Sequence, residues 1–428
     1  MDDPDAQDRR GRPGGPPPAT VQSADEWLDE YTVLNLRLNR CITAQIGDDS
    51  LLDYVGPAEH AMRVRQEPEP APAHLILDAQ RLRQTLPAQG FEPARAAHLL
   101  KLVRALDSVA RRVAGEAVSL REQALDWFDL HVDYVPDHHF TLAHAMYDDA
   151  LPGTGDVMGR LHRWRAHHTL PEGRRQLLRP VMQRALDESR RRTRRMVPLP
   201  SDEEVGIATL QDQPFRAVAA YHGNYRSQIL INETLPFNLA ELLYVVCHEG
   251  YPGHLAELVL KEQHLTRQRG YREQQVGFLL TPPFVISEGL ALWAHRLAFP
   301  DDEAERWLAA QVYREVGIAP DGSRLSRVLQ ATDLLWGVRC NAALMLEDGR
   351  SERETVHYLK HYALMDDAAA SRTVSGLRLP MREAYIFTYH HGLQLLEPWL
   401  GAGEPARALT RLLTRQVLPS TLGDVLST

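Results

Sequence analysis

Apolar residues along this chain recur mostly at three- and four-residue steps. Trp27, Tyr31, Leu34, Leu38 and Cys41 follow such a course, which puts them on one face of a helix. Similar periodicity predicts helix over roughly 92–131, 155–170 and 172–195, with proline and glycine clusters near 66–73, 86–93 and 152–155 as punctuation. The pattern changes between about 203 and 233. Val205–Leu210, Phe215–Tyr221 and Ser227–Asn232 read as short strands, the last two joined by a turn at His222-Gly223-Asn224. After Pro236 the helical pattern returns almost to the end. The chain is therefore expected to be mainly α, with a small antiparallel β-sheet ahead of an apolar helix. Residues 1–22, rich in Pro, Gly, Asp and Arg, offer too little apolar surface to pack and are expected to form a disordered tail. Residues 23–200 then make a helical half and 201–428 a half that holds the chemistry, with a cleft between them.

Composition narrows the class. Hydrophobic residues are 44% and charged residues 25% of the 428, as in an ordinary globular protein. The net charge of −9 argues against general nucleic-acid binding, which needs a basic face. The run Arg190–Arg195 suits a helix C-terminus, where positive charge complements the dipole. Cys41, Cys247 and Cys340 are far apart and share no metal or redox spacing, which points to a reducing compartment. Neither a secretory signal nor an apolar run of membrane-spanning length is visible. A cytoplasmic protein with no membrane partner is the expectation; its oligomeric state leaves no trace in the sequence.

The candidate chemistry lies in His248-Glu249-Gly250-Tyr251-Pro252-Gly253-His254. Zincins carry H-E-x-x-H on a helix, where four residues make about one turn and both histidines face one zinc. The neighbouring glutamate serves as general base. Here the second histidine comes six residues after the first, and an unbroken helix would turn the two apart. Pro252 breaks the helix, and Gly250 and Gly253 open backbone angles closed to other residues. A bulge over Gly250–Gly253 is expected to return His254 to the metal. Glu288 stands among Val285, Ile286, Leu290, Leu292 and Trp293, where a carboxylate is costly without a partner. As third ligand it completes a His2Glu zinc set. The alternative places Glu288 at a helix N-terminus, where it favours the dipole.

Tyr221–Asn232, Leu235-Pro236, the His248–His254 segment, the Glu288-Gly289 helix and Tyr389-His-His-Gly392 together resemble the bacterial domain of unknown function 885 family. That family looks distantly related to carboxypeptidase Taq and thimet-type oligopeptidases. The resemblance covers about residues 205–395 and implies a zincin-like helical metallopeptidase fold. Two departures stand out: the family's doubled histidine becomes His254-Leu255, and the spacing before Tyr389 differs. In such folds an edge strand beside the zinc helix receives a peptide substrate. Gln228–Asn232 is the expected edge, with Tyr225, Arg226 and Asn232 near the substrate.

Tyr389 is the first choice to donate to an oxyanion, with Tyr385 one turn earlier as competitor and His390 or His391 as substitutes. Arg378 is placed to grip a substrate carboxylate. Glu257 either supports a ligand histidine or pairs with Lys261 at the surface, the latter being favoured. Asp333 orients a ligand histidine or pairs with Arg339. The pairs His138-His139 and His167-His168 are read as non-catalytic. The combined expectation is a zinc-dependent hydrolase with Glu249 as general base, cleaving an amide in short peptides or small amino-acid conjugates. Its rivals are a catalytically silent binding or regulatory module and a metal-dependent biosynthetic enzyme acting on a small amide.

Overall fold

The computed structural model describes residues 23–212 and 216–427. The expected tail, 1–22, and the start of the second expected strand at Phe215 lie outside them. Helices dominate, as the periodicity implies. The first, Ala24–Ile46, opens on a capping box: Ser23 accepts from the Glu26 amide while the Glu26 carboxylate reaches back to the Ser23 amide. Its apolar stripe, from Trp27 to Ile42, is buried. The predicted helix over 92–131 is two, Pro93–Val113 and Leu120–Phe128, the second started by a capping box at Ser119. Local hydrogen bonding at Ser119 thus divides one continuous hydrophobic course.

Among the described residues five strands form two sheets: β1 (Leu52–Tyr54), β2 (Glu204–Leu210), β3 (Ala217–Tyr221), β4 (Arg226–Asn232) and β5 (Val276–Phe278). The three-stranded sheet has the order β2-β4-β3. β4 pairs antiparallel with β3, as a hairpin turn dictates, but parallel with β2. The sheet is therefore mixed rather than antiparallel, and Gln228–Asn232 lies in its central strand. The edge strands are β2 and β3, and β3 is the one in contact with Leu242–Glu249 and His254–Lys261. β1 and β5 pair antiparallel in a second sheet that the pattern does not announce; strands of three residues are too short for alternation to show.

One apolar cluster runs from Trp27 in the first helix to Phe387 near the end of the chain, drawing on both expected halves. The long helix Pro283–Ala298 packs along Phe387–Leu400. Among the described residues no helix is long and apolar enough to cross a membrane.

Candidate metal centre

The helix Leu242–Glu249 ends at Glu249, and a second helix, His254–Lys261, begins at His254. The chain does not bulge, as the sequence suggested; it breaks and restarts. The Gly253 amide turns back to the Cys247 carbonyl at 3.0 Å, across a cis Tyr251–Pro252 peptide. A Cβ at Gly253 would stand 2.0 Å from the His248 carbonyl oxygen, so only glycine permits this fold-back. The break does what an intact helix cannot: the two imidazole rings lie 4.8 Å apart, nearly perpendicular.

Glu288 is the third member. It lies in the middle of Pro283–Ala298, 5% exposed, which removes the helix-terminus reading. Its Oε2 is 3.5 Å from His248 Nε2 and 3.8 Å from His254 Nε2, and it is buried without a hydrogen-bond partner. Tetrahedral zinc with bonds of about 2.1 Å separates its ligands by about 3.4 Å, so these residues fit the ion. Tyr385 Oη donates to Glu288 Oε1 at 2.6 Å. Burial opposes the Glu288 charge, yet His248, His254 and Tyr385 together hold its carboxyl below the usual range. For His248, burial works against the proton, but Glu288, Glu249 and Asp333 outweigh it and raise the pKa.

The imidazole of His254 is oriented by a chain through Ser287, a residue that the sequence reading did not single out. Its Nδ1 meets Ser287 Oγ at 3.0 Å, Ser287 donates to Glu257 Oε2 at 2.5 Å, and Lys261 Nζ closes on Glu257 Oε1 at 2.5 Å. Glu257 is 4% exposed; the favoured surface reading fails because its Ser287 contact draws it inward, although the Lys261 pair forms as expected. A polar residue at 287, inside an otherwise apolar stretch, was the available signal. His248 Nδ1, by contrast, is buried without a partner, and nothing in the structure accounts for it. Asp333 neither pairs with Arg339 nor bonds to a histidine. It accepts from Arg296 at 2.5 Å and from Tyr244 Oη at 3.0 Å, and Tyr244 stacks near His248. Burial raises its carboxyl to about 6. Arg339 lies over Trp336 instead.

Glu249 faces a different side of the centre. Its Oε2 accepts from the Ala219 amide of β3 at 2.8 Å, and burial raises its pKa, with the two histidines opposing. Since the Ala219 amide points outward from the sheet, the alternation of an antiparallel ladder turns the backbone groups of Ala217 and Tyr221 the same way. These residues, the trio, Tyr385 and Tyr389 line a cavity of about 760 Å³.

Several expected site residues lie elsewhere. His390 and His391 are outside the cavity lining. His390 packs near Gly337, and burial lowers its pKa to about 3 and that of His391 to about 4. Successive helix residues point about 100° apart, so with Tyr389 facing the cleft its two neighbours turn away. Tyr225 is buried under the Arg267 guanidinium, Arg226 pairs with Glu204 on the outer surface, and Asn232 caps a turn by accepting from the Thr234 amide and hydroxyl. Arg226 and Asn232 lie at the two ends of β4, which is paired on both sides, and Tyr225 lies in the turn before it. Arg378 is exposed and pairs with Glu352 at 2.9 Å. Arg382, which the sequence reading did not single out, lines the cavity. Tyr389 itself stacks on Trp336 at 4.3 Å and meets Tyr385 edge-on at 5.8 Å.

A second trio, His167, His168 and Asp321, adjoins a cavity of about 120 Å³. One polar atom of each is engaged: His167 Nε2 with the Ala319 carbonyl at 2.8 Å, His168 Nδ1 with that of Trp164 at 2.9 Å, and Asp321 Oδ1 with the Ser323 amide and hydroxyl. These contacts tie the helix end to the loop beyond Ala319. The arginine run is likewise engaged by carboxylates: Arg190 with Glu203, Arg191 and Arg192 with Glu188.

No protein-family model matches the sequence, and no curated protein aligns with it significantly. Solved structures are similar at low identity. A protein from Colwellia psychrerythraea described as a candidate lipoprotein overlaps at a TM-score of 0.53 with 12% identity, over 86% of this chain and 69% of that one. A candidate lipoprotein of unknown function from Shewanella oneidensis overlaps at 0.47 with 11% identity, over 82% and 71%. A Pyrococcus furiosus carboxypeptidase overlaps at 0.35 with 11% identity, over 90% and 89%. The first of these likenesses shows a shared, mainly helical fold and nothing further.

Proposed function

We propose that this chain is a zinc-dependent hydrolase that cleaves an amide bond in short peptides or small amino-acid conjugates. The observation that carries the reading is Glu288 Oε2, buried, without a hydrogen-bond partner, and facing two imidazole nitrogens at the spacing of a tetrahedral ligand set. A zinc ion held there supplies a Lewis acid that polarises a carbonyl and acidifies water. The outward backbone groups of β3 can add an extended substrate as a further strand. Glu249, anchored through one oxygen by the Ala219 amide, keeps the other to take a proton from the attacking water and pass it to the leaving nitrogen. Tyr389 lines the same cavity and can donate its O–H to the developing oxyanion. A cavity of about 760 Å³ is of the size that encloses small ligands, which favours short substrates over folded chains.

The test is metal analysis of purified protein supplied with zinc, followed by hydrolysis assays on short peptides. Wild type should hold about one equivalent. Glu249→Gln should keep it and lose about 10²–10⁴-fold in turnover, the range of a general base. Less than about a tenth of an equivalent in wild type sinks the proposal; loss of metal together with activity in Glu249→Gln makes Glu249 a ligand or a structural residue.

A further inference from the structure

The three cations that line the cavity are all matched by carboxylates. Lys261 meets Glu257 at 2.5 Å, Arg267 Nε meets Glu262 at 2.8 Å, and Arg382 Nε meets Asp48 at 2.7 Å. Most of the lining carboxylates are equally engaged. Glu262 also accepts from Tyr221 Oη and the Asn224 amide, Glu273 is held by Arg95 and Gln416, Glu249 by the Ala219 amide, and Glu288 belongs to the metal trio.

Asp53 is the exception. It sits in β1, opposite Gly277 of β5, and its exposed side chain faces the cavity. Among the described residues its carboxylate has neither a hydrogen bond nor an ion pair, although its backbone pairs with β5. The surrounding walls raise its pKa by burial, and the charge opposing that shift is His254, which places Asp53 within electrostatic reach of the metal ligands. Gly277 offers no side chain; a Cβ there would stand 3.5 Å from Asp53 Cβ, so the ground beside the carboxylate is kept clear.

We propose that Asp53 receives a protonated amine of the substrate, so that the site acts on peptides or conjugates carrying an ammonium group close to the scissile bond and not on those presenting a free carboxylate there. The scissile bond comes from the hydrolase reading, on which the proposal rests to that extent; the ammonium subsite is a statement about binding. An unmatched carboxylate on the wall of a cavity whose cations are all paired offers an entering ammonium an opposite charge that nothing else there has taken. An entering carboxylate finds each cation occupied and must break an ion pair to bind. The ammonium has two sources, a peptide N-terminus or a lysine side chain.

The experiment is calorimetric binding to the zinc-loaded Glu249→Gln protein, which cannot turn the probes over. The probes are trialanine amide, N-acetyl-trialanine amide, an N-acetylated Ala-Lys-Ala amide, and N-acetyl-trialanine with a free C-terminal carboxylate. At least one ammonium-bearing probe should bind about threefold or more tighter than N-acetyl-trialanine amide, the scale of one solvent-accessible ion pair. The probe that does so identifies the source. Adding Asp53→Asn, or in a second variant Asp53→Ser, should erase the difference with zinc content and melting temperature unchanged. Equal binding of all probes, no binding of either amine, tighter binding of the acid, or a preference that survives both substitutions overturns the proposal. An amine preference in a protein whose wild type hydrolyses nothing would instead leave the subsite standing and remove the hydrolase reading. Hydrolysis indifferent to acetylation would do the reverse.

Discussion

Glu288 is held from two directions, and each oxygen has a different task. Tyr385 donates to Oε1, which fixes the carboxylate plane and leaves Oε2 to the histidines. Tyr385→Phe removes that donor and frees the carboxylate to rotate. Zinc affinity should fall about 10–100-fold, as when other supports of metal ligands are lost, read by competition with a chelator. Unchanged affinity would mean that packing alone orients Glu288. Tyr389 differs in having a stacked ring and, among the described residues, no carboxylate on its hydroxyl. Tyr389→Phe should therefore keep zinc and melting temperature and lower turnover about 10²–10³-fold, the usual loss for one oxyanion donor. Turnover that does not change would exclude Tyr389 from the chemistry. The two phenols thus separate into one that loses metal and one that loses rate.

At the scale of elements, two glycines explain why Glu288 and the tyrosines meet. A Cβ at Gly289 would lie 2.4 Å from the Gly392 backbone, and one at Gly392 would lie 2.2 Å from the Val285 carbonyl oxygen. The helices Pro283–Ala298 and Phe387–Leu400 are therefore in backbone contact, and neither atom can step aside as a side chain would. Gly392→Ala must push the helices apart. It should cost at least the ~1–3 kcal/mol typical of overpacking, and it should also lower zinc occupancy, because Glu288 moves with its helix. Denaturant midpoint and zinc content measured on the same preparation check this. Lost stability with full zinc would show that the centre does not depend on the crossing. The Glu-Gly and Tyr-x-x-Gly pairings are legible in the sequence as motifs; their reason is this contact, which local pattern cannot display.

Across the whole molecule, the cavity is built from both expected halves. Asp53 and His98 come from one and the metal trio from the other, and Arg95–Glu273 at 2.6 Å and Arg382–Asp48 at 2.7 Å tie the two together. The same burial makes the fold sensitive to acid. His98 and His390 are held near 3 and His391 near 4, chiefly by burial, whereas an unfolded histidine titrates near 6.5. Above about pH 6.5 neither state is protonated there. Between that value and the depressed folded pKa values only the unfolded chain takes up protons, so stability falls as pH falls. Melting temperature should decline from pH 7 to pH 5, and His390→Leu should flatten the decline by removing one of these sites. A slope that His390→Leu leaves untouched would assign the acid sensitivity to other groups.

What the sequence by itself determined is what short-range physics controls. Helix courses follow from three- and four-residue spacing, and the meeting of His248, His254 and Glu288, a group that could hold a metal ion, from a broken H-E pattern joined to an acid on an apolar helix. The Pro252–Gly253 pair signalled that the helix must yield, though whether by bulge or by break was not written in it. Tertiary structure decided the rest. Strand order made β4 central, so its backbone cannot receive a substrate strand; the parallel partner β2 is joined by contacts that no turn specifies. Helix rotation brought Tyr389 to the cavity and took His390 and His391 from it. Asp53 gives no local sign, since its meaning depends on every cation around it already having a partner. Charge matching, strand order and helix rotation are set by residues distant in the chain, and the free energy that fixes them exists only once those residues are brought together.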